Sequence, residues 1–202
     1  MGKKVLGIVG SYRKGGVIDS AVSEVLNAAA EGGAEVEKIH LLDKRIEFCT
    51  NCRRCTQTEG PEPGACIHDD DMPGLIAAIE EAGSIVLGAP VNFGGVNALT
   101  QRFLERLVCY SWWPWGEPAP KLRKEGKPRK KAVLITSCAM PAIMGRFCTG
   151  SMKSLKKGSA VVGARPVATL YVGLAAGSER QALSGRMVSR ARRAGGKLST
   201  PY

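Results

Sequence analysis

Short runs of unbroken apolar residues alternate along the chain with longer stretches whose apolar positions recur every three or four residues. Val5–Val9 (VLGIV), Ser84–Ala89 (SIVLGA) and Ala132–Ser137 (AVLITS) are of the first kind, as expected of strands buried on both faces. Val36–Leu41 and Val167–Val172 read as two further strands. Ile18–Ala30 is of the second kind, with Ile18, Val22, Val25, Leu26 and Ala29 on one helical stripe, and Gly32-Gly33 ends it. Helices are also predicted over Met72–Ala82, Val96–Cys109, Thr149–Val162 and from Glu179 to Ala194. The longest apolar stretch, Ala160 to Ala176, is broken by Arg165-Pro166 and falls short of the roughly 20 apolar residues a membrane span needs.

Strands alternating with helices imply right-handed crossovers and a parallel sheet covered on both faces. The fold expected is α/β: a flavodoxin-like three-layer sandwich, its five-stranded parallel sheet in the order 2-1-3-4-5, as a single domain over residues 1–202. Ligands of such sheets sit outside the carboxyl ends of the strands, at the switch between strands 1 and 3. Chemistry is therefore expected just after Val9, Ala89 and Thr136. After strand 1 comes Gly10-Ser11-Tyr12-Arg13-Lys14-Gly15-Gly16, then a helix. Glycines there admit close backbone approach, and a helix N-terminus attracts a phosphate. The segment matches neither GxGxxG nor GxxxxGK[ST]. After strand 3, Pro90-Val91-Asn92-Phe93-Gly94 offers backbone groups, one amide and one ring to a flat heteroaromatic ligand.

Two segments interrupt the alternation. Residues 43–71 are rich in Cys and Pro, and residues 110–131 combine Trp112, Trp113 and Trp115 with a basic run. Cys49, Cys52 and Cys55 form C-x2-C-x2-C, with Cys66 after ten further residues. Four thiolates so spaced suit an iron–sulfur cluster or a tetrahedral zinc, and free thiols are the third reading. Cys109 and Cys148 read as core thiols, and Cys138 lies beside the expected ligand. His68-Asp69-Asp70-Asp71 precedes a helix and reads as its cap. His40, on strand 2, lies away from the expected site. The tryptophans read as an interface surface or a lid.

Composition narrows the class. Hydrophobic residues make up 44% and charged residues 23%, as in a globular chain. No secretion signal is visible, and seven cysteines without one point to a reducing, cytoplasmic setting. The net charge of +11 gathers in Lys121–Lys131, Lys153–Lys157 and Arg186–Lys197. Solvated faces account for most of it. It also suits an anionic dinucleotide or an acidic redox protein. No nucleic-acid motif accompanies it, so a DNA-associated regulator has charge alone in its favour.

GSYRKGG at 10–16, CTNCRRC at 49–55, ACIHDDDM at 65–72 and GAPVNFGGVNALTQRFLER at 88–106 together resemble the NADPH-dependent FMN reductases, including the iron–sulfur flavoproteins. The resemblance implies FMN as cofactor. Ser11, Arg13 and the amides of Gly15, Gly16, Val17 and Ile18 would hold its phosphate. Pro90, Val91, Asn92, Phe93 and Gly94 would line the ring and ribityl, and Ser137 would close the site. Relatives often carry hydrogen-bonding side chains where Val17 and Ile18 stand, so backbone amides, with Ser20, take over that grip here. The resemblance further implies hydride transfer from NAD(P)H with no side-chain acid or base, and a homodimer or homotetramer. Its alternative is a [4Fe–4S] cluster on Cys49, Cys52, Cys55 and Cys66, fed by ferredoxin.

Overall fold

The computed structural model describes residues 4–126, 130–179 and 181–199. Residues 127–129 of the basic run and Arg180 of the last predicted helix lie outside the described residues. Five parallel strands form the main sheet: β1 (Val5–Val9), β2 (Val36–His40), β3 (Ser84–Asn92), β4 (Lys130–Ser137) and β5 (Ala164–Val172). Their order is β2-β1-β3-β4-β5, with β1 in register against β2 on one side and β3 on the other. The flavodoxin-like arrangement expected from the sequence is thus the one found.

The helices are α1 (Val17–Glu31), α2 (Met72–Glu81), α3 (Ala98–Arg106), α4 (Ala142–Cys148), α5 (Ser151–Val161) and α6 (Gly185–Ser199). Alternate strand residues point to opposite layers. Leu6, Ile8, Ile85, Leu87 and Leu134 pack on Leu75, Ile79, Phe103 and Leu155 of α2, α3 and α5. Val5, Val9, Val86, Val133 and Leu170 pack on Val22, Val25, Leu26, Ala191 and Leu198 of α1 and α6. At the amino edge, Lys130 Nζ donates to the carbonyls of Ile79, Glu80 and Ala82 at 2.7–2.8 Å. A cation thus closes the C-terminus of α2, where unpaired carbonyls gather. Among the described residues, no helix is long and apolar enough to cross a membrane.

Several boundaries differ from the sequence reading. The helix predicted at Thr149–Val162 is α5, and a further short helix that the sequence reading did not predict, α4, follows Pro141 and ends before Thr149-Gly150. The last helix starts at Gly185 rather than Glu179. β3 runs past Ala89 and turns back through Phe93-Gly94 to pair Asn92 with Gly95. Both turn residues have positive φ, 49° and 79°, the signature of a type I′ hairpin. The loop at 110–131 holds a small ribbon pairing Ser111-Trp112 with Lys121-Leu122.

Candidate functional site

The first loop is built mostly of backbone. Gly10 N–H donates to Gly88 O at 2.7 Å, which joins β1 to β3 at their carboxyl ends. The Gly10 carbonyl accepts from Asn97 Nδ2 at 2.8 Å. The Thr100 hydroxyl lies 3.0 Å from that carbonyl and 2.6 Å from Asn97 Oδ1, sharing one proton between them. Asn97 Oδ1 also accepts from Thr100 N–H and so caps α3. A Cβ on Gly10 would stand 2.1 Å from Thr100 Oγ1, so glycine is required at that approach. Tyr12 adds a second tie, its hydroxyl accepting from Leu99 N–H.

Beyond Tyr12 the loop folds over α1. Ser11 Oγ accepts from Arg13 N–H at 3.1 Å, and Gly15 takes φ 71°. Gly16 is the N-cap residue and no side chain caps the helix. The first-turn amides of α1 therefore have no acceptor within the helix. They carry the partial positive charge of the helix end. Beside them, Asp19 accepts from Gly15 N–H at 2.6 Å and from Lys38 Nζ at 2.9 Å. Burial pushes its pKa up, but the Gly15 amide, Lys38 and His40 outweigh burial and hold the carboxyl below its usual range. His40 Nε2 lies 3.1 Å from Asp19 Oδ1. The sequence reading set His40 apart from the site. The crossover instead brings it against the helix that begins at the loop, because β2 lies next to β1.

A cavity of about 530 Å³ opens at this edge, within the usual range for small-molecule sites. Ser11, Arg13, Gly16, Val17 and Ile18 line it from the first loop and α1, Pro90, Val91 and Asn92 from the end of β3, and Ser137 with Cys138 from the neighbouring end of β4, where Ser137 pairs with Pro90. Of the predicted residues, Gly15, Phe93 and Gly94 do not line it. The Gly15 amide is engaged by Asp19. Phe93 sits fully exposed at the hairpin tip, while the Gly94 carbonyl accepts from Gly150 N–H. Sequence reasoning missed the segment after β5, which supplies Ala175, Ala176, Ser178 and Gln181. The 2-1-3-4-5 order puts β5 beside β4, and that adjacency was the available signal.

Cys49, Cys52, Cys55 and Cys66 line a second cavity, together with Cys109, Arg53, His68 and Arg106. Asn51 and Arg53 both adopt left-handed backbone, φ 54° and 58°, which curls the loop around Cys52. Arg53 is stacked between Trp113 and Trp115, 3.9 and 4.2 Å from their ring centres. Trp113 and Trp115 thus pack on the cysteine insert within the chain, with Trp115 still exposed. The free space between the thiols is narrow, about 30 Å³. The Arg54 amide holds the Cys52 thiol below its ordinary range. Burial, and then the other cysteines, push Cys55 up, and burial pushes Cys109 up to about 12.

Of the acidic run expected to cap α2, Asp71 stands at the N-cap position but makes no side-chain cap, its carboxylate accepting from Arg45 N–H instead. Asp70 accepts from Met72 N–H, the first amide of the helix, and also forms a buried pair with Arg106. One expectation is corrected. Cys148 is exposed at the end of α4 rather than in the core.

A family model for NADPH-dependent FMN reductases matches residues 3–156. The chain belongs to that family. Its curated relatives include an iron–sulfur flavoprotein of Methanocaldococcus jannaschii, 42% identical over 103 residues that make up 51% of each chain. An iron–sulfur flavoprotein of Archaeoglobus fulgidus is 34% identical over 111 residues, 55% of this chain and 48% of that one. The matched segment spans about half the length of these relatives. Among solved structures, a flavone reductase superposes at a TM-score of 0.67 with 20% identity, covering 97% of this chain and 62% of that one. An NAD(P)H:quinone oxidoreductase from Methanothermobacter marburgensis gives 0.67 at 18% identity over 98% and 100% of the two chains. At that identity the likeness concerns the fold.

The residues present fit an FMN. Unpaired amides and the Arg13 side chain meet at the end where a phosphate would lie, and a half-buried wall of Pro90, Val91 and exposed Asn92 continues from it. At the cysteine cavity the donors are five thiols, chemically apt for a cluster or for a lone soft ion. Among the described residues, no three Cys, His, Asp or Glu side chains converge as one ion's ligands do. Arg53 Nε and His68 Nε2 are buried there without hydrogen-bond partners, which suits an anionic occupant.

Proposed function

We propose that this protein is an FMN-dependent oxidoreductase that takes a hydride from NAD(P)H and passes the electrons to an acceptor. The observation that carries this reading is the single cavity joining the uncapped first turn of α1 to Pro90–Asn92 and Ser137. FMN held there would supply the redox chemistry, hydride acceptance and electron transfer. The chain's part is to bind and orient. The amides of Val17 and Ile18, with Arg13, hold the phosphate by hydrogen bonds to its charged oxygens. Ser11 fixes the loop through Arg13 N–H. Asp19 anchors Gly15 from behind, and Lys38 offsets the carboxylate's charge. Pro90 and Val91 would form a wall for the ring, with Ser137 and Cys138 beside them. None of these side chains has to move a proton.

Titrating apo-protein with FMN should show saturable binding that Arg13→Ala weakens. Anaerobic NADPH or NADH should then bleach the flavin band. Absence of saturable binding would overturn the reading, and binding without bleaching would exclude the nicotinamide route.

A second electron route is favoured by the five thiols on one cavity. In it, Cys49, Cys52, Cys55 and Cys66 hold a [4Fe–4S] cluster that receives electrons from ferredoxin or another acidic redox protein. The names of the curated relatives support it. Iron and acid-labile sulfide analysis of anaerobically purified protein tests it, with about four irons per chain expected and an iron-free chain as the refuting result.

A further inference from the structure

Arg106 is a buried cation to which the proposed chemistry gives no task. It ends α3, with its side chain 2% exposed and that of its partner Asp70 fully buried. Removing two charges from water is costly, and a pair of this kind adds little net stability. Stability alone therefore accounts poorly for its presence. Its surroundings suggest two roles.

The first role is mechanical. Asp70 accepts from Glu47 N–H at 2.9 Å and from Met72 N–H at 3.0 Å, and Arg106 donates to Glu47 O at 2.8 Å. Together they join the chain just before Cys49 to the chain just after Cys66. The second role is electrostatic. Arg106 lines the same cavity as Cys49, Cys52, Cys55 and Cys66. A fixed charge acts strongly where water is excluded. A guanidinium keeps its charge in proteins, and Asp70 accepts from this one.

We propose that Arg106, its charge partly offset by Asp70, is a positioning residue that ties down the cysteine loop and sets the reduction potential of a cluster held by Cys49, Cys52, Cys55 and Cys66. The inference rests on the iron–sulfur reading above. A cation beside a redox centre favours the state with the extra electron. Asp70 works against it. Removing each charge should therefore move the midpoint in opposite directions.

The test is a dithionite titration of anaerobically purified, FMN-loaded protein, followed by EPR, with iron measured per chain. Arg106→Gln should make the cluster about tenfold harder to reduce, a midpoint lower by roughly 59 mV for one electron. Asp70→Asn should raise the midpoint by a comparable amount. Arg106→Lys, which keeps the charge, should stay near wild type. Equal midpoints in wild type and Arg106→Gln at equal iron content would overturn the proposal. Iron lost from both neutral variants but kept in Arg106→Lys would leave only the clasp and overturn the tuning. A wild-type chain without iron would instead overturn the reading beneath it.

Discussion

The two cavities are made of different material. The larger one, at the carboxyl edge of the sheet, is lined by residues that follow the ends of β1, β3, β4 and β5. Topology creates it, and side chains such as Asn97 and Thr100 act on it from behind. The cysteine cavity lies on irregular chain, and every group that gives it character is a side chain: five thiols, Arg53 in its tryptophan sandwich, and Arg106 on Asp70. A site made from strand ends tolerates the loss of hydrogen-bonding side chains at Val17 and Ile18. A site made from side chains depends on each identity and on the clasp that gathers them.

Substitutions can break or sharpen this contrast. The largest effect is expected at the clasp. Asp70→Ala leaves Arg106 buried and unpaired, and such losses cost about 3–5 kcal/mol, to be read by urea denaturation. Burial pushes the Asp70 pKa up, but Arg106 and the amides of Glu47 and Met72 hold it below 3.8. Its contribution is therefore complete above that value and fades as pH falls through the lower native pKa. Wild type and variant should converge in stability in that acid range, and a gap that persists there would assign the effect to packing.

Next comes Gly10→Ala, whose Cβ collides with a hydrogen-bonded, buried Thr100. Overpacking of this kind costs about 1–3 kcal/mol, and FMN affinity should fall with it. Unchanged affinity would separate the loop from the flavin. Asn97→Ala removes a helix cap worth about 1 kcal/mol and one of the donors to Gly10 O, so a smaller fall in both quantities is expected by the same titrations. Phe93→Ser should change stability by less than about 0.5 kcal/mol and leave FMN affinity unaltered. A marked loss of affinity would return Phe93 to the flavin.

The sheet was legible because its strands are buried on both faces and read as unbroken apolar runs. The positions just after Val9, Ala89 and Thr136 followed from strand order, so Ser11, Arg13, Pro90, Asn92 and Ser137 were found without side-chain detail. What escaped needed three dimensions. Phe93 looked like a ring for stacking, yet a type I′ turn points it into solvent. The acidic run at 69–71 looked like a cap, and Asp70 does accept from Met72 N–H, yet the carboxylates of Asp71 and Asp70 also reach the Arg45 amide and the Arg106 guanidinium, distant in sequence. His40 meets Asp19 only through the pairing of β1 with β2, and Cys109 joins the other cysteines only when α3 packs beside the insert.

The hydrogen bonds that tie Arg45 to Asp71 and Glu47 to Asp70 have an evolutionary consequence. They bring the two ends of the insert together before the intervening chain is counted. For a flexible loop with fixed ends, doubling the length costs only about 0.6 kcal/mol. The ten-residue gap between Cys55 and Cys66 is therefore cheap to lengthen or shorten. Changes of length there are expected to leave the sheet and its carboxyl-edge pocket in shape, provided that the bonds from Arg123 to the Thr58 and Gly60 carbonyls are kept.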